Sequence, residues 1–124
     1  MSKRTIALDF DGVVHSYVTQ WQGAEVIPDP PVAGSKEAIQ ALRDQGFEVV
    51  VFSTRCATAE GREAVELWLI EHEIPVGHVS ASKPPALVYV DDRAVRFNGD
   101  WSVTLEDIKA AITKGTWQGK ATGT

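Results

Sequence analysis

The feature that most constrains this chain is a short apolar run at 6–8 that ends in Asp9-Phe10-Asp11 and then passes into Gly12. The run is typical of a buried strand, so it brings two carboxylates, one residue apart, to the carboxyl end of that strand. Two anions this close together need a cation or a shared proton. The sequence therefore predicts an acidic site at Asp9 and Asp11, with the rest of the fold built around the strand.

Length and composition favour a single folded domain at 1–124, with 44% hydrophobic and 23% charged residues. No apolar stretch approaches the roughly 20 residues of a membrane span, and the chain opens directly into a strand pattern, so we expect no membrane contact and a cytoplasmic setting. Cys56 is the only cysteine and has no partner for an internal disulfide. A net charge of −5 argues against binding nucleic acid through bulk positive charge.

Apolar strand patterns and amphipathic helix patterns alternate along the chain. Further strands are predicted at 47–52, 76–79, 86–90 and 95–97, after the first at 5–10. Helices are predicted from an N-cap at Ser35 to a stop at Gly46, over 58–72, and from a cap at Thr104 to Gly115. This alternation predicts an α/β fold with a mostly parallel five-stranded sheet and helices on both faces.

One long interval, 15–33, shows no regular pattern and contains Tyr17, Trp21 and the proline-rich stretch 27–31. Loops of this length are uncommon in compact domains and are usually functional. We expect a small flap beside the carboxylates, in which Trp21 is the aromatic residue best suited to stack on a substrate. The polar segment 119–124 is predicted to be a flexible tail.

Polar side chains cluster where the predicted strands end. Because ligands bind outside the carboxyl ends of parallel strands, we expect these side chains to share one edge of the sheet. They are Asp9 and Asp11 after the first strand, Ser53, Thr54 and Arg55 after the second, Lys83 before the fourth, and Asp91, Asp92 and Arg93 after the fourth.

This set has the parts that phosphoryl transfer through an aspartate requires. Several carboxylates suit a hard cation, above all Mg²⁺, which also binds substrate phosphate. One carboxylate can attack phosphorus while a second donates a proton and later activates water. A hydroxyl and an ammonium can stabilise the charge on the transferring oxygens.

The order of these motifs resembles the haloacid dehalogenase (HAD) superfamily of phosphohydrolases, over residues 5 to about 97. The resemblance implies a three-layer Rossmann-like fold with strand order 3-2-1-4-5 and a Mg²⁺ cofactor. It implies that Asp9 is the nucleophile, and that Asp11 is the general acid and base, with its backbone carbonyl also on the metal. Ser53 would bind the phosphoryl group, although Thr54 is an alternative hydroxyl, and Lys83 would orient Asp9.

The resemblance also implies that Asp92 is the direct metal ligand, with Asp91 as an outer partner or a second ligand, and that Gly12 lies at the substrate. The intervals between Asp11 and Ser53 and between Ser53 and Lys83 have no room for a folded cap domain beyond the core helices. The chain therefore resembles a minimal, capless member. An open site of this kind accepts bulky substrates or is closed by the flap or a neighbouring subunit, although the sequence does not predict an oligomer.

Arg55 and Arg93 follow the second and fourth motifs directly. At the rim of the site they would suit a second phosphate or a nucleotide, whereas pairing with the acids is the alternative for both. The predicted substrates are therefore phosphorylated small molecules such as nucleotides, or phosphorylated nucleic-acid ends. His15 is interpreted as structural.

Two other functions compete with a phosphatase. A receiver domain of signalling proteins has a similar length and α/β order, but its phosphoacceptor lies on a middle strand, whereas the middle strand here ends in Ser53-Thr54-Arg55. A catalytically silent HAD fold that only binds phosphate is the other alternative.

Overall fold

A computed structural model describes residues 4–114. The predicted tail at 119–124 and the helix stop at Gly115 lie outside these residues. Within 4–114 no helix combines the length and the apolar character needed to cross a membrane. The elements are β1 (Thr5–Asp9), α1 (Ser35–Asp44), β2 (Glu48–Phe52), a 3₁₀ turn (Thr54–Ala57), α2 (Ala59–Glu71), β3 (His78–Ser80), β4 (Val88–Val90) and α3 (Trp101–Lys114).

The strands form a four-stranded sheet of order β3-β2-β1-β4, and every pair in it is parallel. The parallel α/β architecture is thus confirmed, and so are the first four places of the predicted order. The fifth strand, predicted at 95–97, does not form within the described residues. Phe97 instead packs on Trp101, with ring centroids 5.0 Å apart.

The main core lies on one face of the sheet. Because β1, β2 and β3 advance in one direction, right-handed crossovers place α1 and α2 on the same side. The buried side chains of these two helices pack against alternate residues of the strands. The last helix, α3, leaves Trp101 67% exposed. The prediction of helices on both faces of the sheet is therefore not confirmed within 4–114. The core cluster includes Ile6, Leu8, Val49, Val51 and Val79 of the strands, Ile39 of α1, and Val65, Trp68 and Leu69 of α2.

Two of the predicted helix caps are wrong. Gly34, in the left-handed region at φ 88°, caps α1, and Ser35 is the first helical residue. The last helix begins at Trp101, because Asp100 Oδ1 accepts a hydrogen bond from the backbone N–H of Ser102 at 2.9 Å. Thr104 is a buried residue inside that helix rather than its cap.

Candidate active site

The carboxyl ends of the strands enclose a cleft of about 390 Å³. Most of the residues that the sequence assigned to the site line it, from four separate stretches of the chain. The fold therefore brings most of the predicted site residues together in one cleft. Its lining consists of Asp9, Asp11, Phe52, Ser53, Thr54, Ala81, Ser82, Lys83, Asp91 and Arg93.

Three carboxylates gather at this edge of the sheet. Asp9, Asp91 and Asp92 each offer an oxygen atom, and these atoms all lie within 4.8 Å of one another. Carboxylates so close repel each other unless a cation lies between them, and their oxygens are the ligands that Mg²⁺ prefers. The donor set therefore fits a hard divalent cation.

Gly12 lets the exit of β1 approach this acidic group. Its φ of +90° is in the region that side chains rarely adopt, and a Cβ atom at this position would collide with the Asp92 carboxylate. Glycine is thus required both by the backbone turn and by the closeness of Asp92. Gly12, which was predicted to contact the substrate, lies where the segment after β1 meets the segment after β4.

Asp91 is held by two donors. Its Oδ1 accepts from the backbone N–H of Arg93 at 2.9 Å, and its Oδ2 lies 3.7 Å from Lys83 Nζ. The Lys83 ammonium also lies 5.2 Å from the ring centroid of Tyr89. Lys83 thus pairs with Asp91, and its role in orienting Asp9 stays a prediction.

The two candidate hydroxyls differ in how firmly they are placed. Ser53 is buried, and its Oγ accepts from the backbone N–H of Arg55 at 3.1 Å at the start of the 3₁₀ turn. This fixes the oxygen and lets its proton be donated into the cleft. Thr54 lines the same cleft but is exposed.

Asp11 has a very different environment from Asp9. It is only 2% exposed, with Oδ1 2.8 Å from His15 Nδ1 and Oδ2 2.9 Å from Arg55 Nε. Burial raises the pKa of Asp11, but hydrogen bonds from His15 and Arg55 and the charge of Arg55 outweigh it, so the pKa lies below its usual value. Asp11 is therefore held as a carboxylate.

His15 supports Asp11 from behind the cleft. It is fully buried, and its Nε2 accepts from the backbone N–H of Asp29 at 3.2 Å. Since Nε2 accepts, the ring hydrogen lies on Nδ1, which donates a hydrogen bond to Asp11 Oδ1. Trp68 Nε1 in turn donates to the Asp29 carbonyl at 3.2 Å. Sequence reasoning missed this chain of contacts; the spacing of four residues between Asp11 and His15 was the only signal of it.

Arg55 is fully buried, which differs from the rim position considered for it, and the alternative of pairing with an acid is what the structure shows. Its Nη1 donates to the carbonyls of Gly23, Ala24 and Val26 at 2.8, 3.0 and 3.1 Å. Its guanidinium also lies over the Trp21 ring, 4.7 Å from the centroid. Arg55 thus connects the long loop to Asp11, while the residues that line the cleft come from outside this loop.

No family model matches the sequence, and neither does any curated protein. Among solved structures, the chain is similar to a structural-genomics target from Vibrio cholerae, with 24% identity, a TM-score of 0.51, and coverage of 91% of this chain and 99% of that one. It is also similar to a D,D-heptose 1,7-bisphosphate phosphatase from Burkholderia thailandensis, with 23% identity, a TM-score of 0.41, and coverage of 91% and 74%. The likeness to the Vibrio protein shows that the chain shares its fold.

Proposed function

We propose that this protein is a Mg²⁺-dependent phosphatase that hydrolyses phosphate monoesters through an aspartyl phosphate on Asp9. The observation that carries the proposal is one cleft lined by Asp9, Ser53 and Lys83, beside three carboxylates whose oxygens lie within 4.8 Å of one another. A nucleophile, donors for phosphoryl oxygens and a cation site thus coincide. The order of motifs that resembles HAD phosphohydrolases supports the same reaction.

In the first half of the reaction, a carboxylate oxygen of Asp9 attacks phosphorus. A bond forms between Asp9 and phosphorus, and the bond from phosphorus to the ester oxygen breaks. The hydroxyl of Ser53 donates to a phosphoryl oxygen, and the ammonium of Lys83 offsets charge at the rim of the cleft. The leaving oxygen takes a proton from Asp11.

Asp11 must first be protonated to serve as that acid, since its pKa lies below the usual value in the unliganded protein. The negative charge of a phosphate bound beside it opposes this effect by favouring the neutral form. In the second half, water attacks phosphorus, the bond to Asp9 breaks, and the Asp11 carboxylate takes the proton of the water. His15 and Arg55 keep the carboxylate aimed in both steps.

Asp9 and Asp92 would hold the cation, as the resemblance to HAD phosphohydrolases implies, and the backbone carbonyl of Asp11 would complete the set. Asp91, which accepts from the Arg93 N–H and pairs with Lys83, would be an outer partner. Bound there, Mg²⁺ would neutralise charge on the phosphoryl oxygens.

Colorimetric phosphate release from an aryl phosphate, with Mg²⁺ and with EDTA, tests the proposal. We expect metal-dependent turnover that Asp9→Asn abolishes, since the amide cannot attack phosphorus. Asp44→Asn is the matched control, because Asp44 is exposed on α1 and accepts a local hydrogen bond from Gln40 at 2.9 Å. Turnover that survives in Asp9→Asn would refute the nucleophile assignment. A folded protein that binds phosphate but releases none from a broad panel of esters would favour the binding-module alternative.

A further inference from the structure

A second cleft lies beside the candidate active site. It has a volume of about 510 Å³ and lies between the 92–96 segment and α3. Arg93 lines both clefts, so they adjoin at this side chain. The second cleft is lined by Asp92, Arg93, Ala94, Val95, Arg96, Asp107, Ala110, Ala111 and Lys114.

The charges in this second cleft have an excess of one sign. Arg93, Arg96 and Lys114 contribute three cations, and Asp92 and Asp107 contribute two carboxylates. Asp92 is also one of the three carboxylates that gather as a cation site, where a bound cation would offset its charge. A positive cleft on a chain with a net charge of −5 suits an anionic ligand.

The backbone of Arg93 is held at the boundary between the two clefts. Its N–H donates at 2.9 Å to Oδ1 of Asp91, whose Oδ2 lies 3.7 Å from Lys83 in the first cleft. Because the residue lines both clefts, a substrate that places its reacting phosphoryl group in the first cleft and continues into the second would pass Arg93. Arginine presents a planar array of donors that matches phosphate oxygens.

We propose that the second cleft binds a second phosphate group of the same substrate, through Arg93, Arg96 and Lys114. This inference rests on the proposed phosphatase function and narrows it to substrates with two or more phosphates. The second phosphate can come from a small molecule, such as a nucleoside bisphosphate, or from the backbone of an oligonucleotide with a terminal phosphate. Both sources offer the same recognition chemistry.

The experiment compares kcat/KM for an aryl phosphate, a nucleoside 3′,5′-bisphosphate and a 3′-phosphorylated oligonucleotide. In Arg96→Gln/Lys114→Gln, the ratio of kcat/KM for either substrate with a second phosphate to that for the aryl phosphate falls about tenfold, because two charged contacts to phosphate are lost. Lys109→Gln is the matched control: Lys109 is exposed on the same helix, 3.7 Å from Glu106. A fall for only one of the two substrates that carry a second phosphate identifies the source of that phosphate. An unchanged ratio, or an equal fall in Lys109→Gln, overturns the proposal.

Equilibrium binding of the same bisphosphate to Asp9→Asn protein separates this inference from the proposed activity, since it needs no turnover. We expect about tenfold weaker binding when Arg96→Gln and Lys114→Gln are added, and no such loss with Lys109→Gln. If no substrate is hydrolysed but this difference persists, the phosphatase proposal fails and the anion site stands. If hydrolysis occurs and neither affinity nor the ratio changes, the anion site fails alone.

Discussion

Replacing Arg55 by methionine is the sharpest test of how the candidate site is held together. The substitution keeps an unbranched side chain but removes the partner whose Nε lies 2.9 and 3.2 Å from the Asp11 oxygens. It also removes the donor to three carbonyls of the long loop. Asp11 is left as a buried carboxylate that has lost its cation.

Breaking a buried ion pair by removing one partner costs about 3–5 kcal/mol. For a domain of 124 residues, a loss of this size lowers the melting temperature by roughly 10–15 °C. Arg62→Met is the matched control, because Arg62 is about half exposed and lies 3.5 Å from Glu66 in a surface pair. Such pairs are worth less than about 1 kcal/mol.

The assay is urea unfolding followed by tryptophan fluorescence, in EDTA so that metal binding does not contribute. A second variant identifies the cause of the loss: Asp11→Asn added to Arg55→Met removes the unpaired charge, and the double variant should regain about 1–2 kcal/mol. In the wild-type background the same Asp11→Asn change should destabilise the protein. If Arg55→Met costs no more than Arg62→Met, or if adding Asp11→Asn destabilises it further, the account of a buried, charge-coupled pair is wrong.

Two further predictions concern single residues of the site. Mg²⁺ should raise the melting temperature of the wild type and support its turnover, and Gly12→Ala should abolish both effects because its Cβ would displace Asp92. Gly46→Ala is the control: Gly46 has a φ of +91° but nothing within 4 Å, so the substitution should lower the free energy of unfolding by about 1 kcal/mol and keep both effects. The stability that Asp11 contributes should depend on pH, because the pKa of Asp11 in the folded protein lies below the usual 3.8. This contribution is fully present above pH 3.8 and is lost as the pH falls through the pKa of the folded protein. Urea unfolding of wild type and Asp11→Asn from pH 7 to pH 3 should therefore show a constant difference that shrinks only below about pH 4; a difference that grows on acidification would contradict the lowered pKa.

Strands and helices could be predicted from the sequence where a short, continuous segment carries the hydrophobic pattern. The runs at β1 and β2 are buried on both faces and strongly apolar, so their position and the polar residues at their ends follow directly. The strand predicted at 95–97 does not form: three residues carry little pairing information, and Phe97 packs on Trp101 instead. Ser35 was predicted as a cap from its place before an apolar helix pattern, and Thr104 from an acidic residue three positions on. The left-handed backbone of Gly34 and the side chain of Asp100 instead mark where those helices begin.

The contacts of Asp11 could not be predicted in this way. Arg55 is 44 residues from Asp11, and Asp29 reaches His15 from the middle of a loop without periodicity. In the sequence, the charge of Arg55 and its position after a strand fit either a place at the rim of the site or a buried ion pair. Only the burial of its side chain, seen in the structure, distinguishes these two roles. The long loop was expected to be a flap because its length suggests function; its anchoring to Arg55 depends on backbone carbonyls, which carry no residue-specific signal.

This anchoring bears on why two aspartates one residue apart could perform different tasks. Asp9 is partly exposed, and one of its oxygens lies within 4.8 Å of an oxygen of Asp91 and an oxygen of Asp92. Asp11 is fixed by donors from two directions, and the same guanidinium that fixes it also holds the loop at Gly23, Ala24 and Val26. A displacement of the loop at these carbonyls would therefore act on Asp11 through Arg55. In the proposed reaction, damage to the loop should impair proton transfer before it impairs nucleophilic attack, so substrates with good leaving groups should be the last to lose turnover.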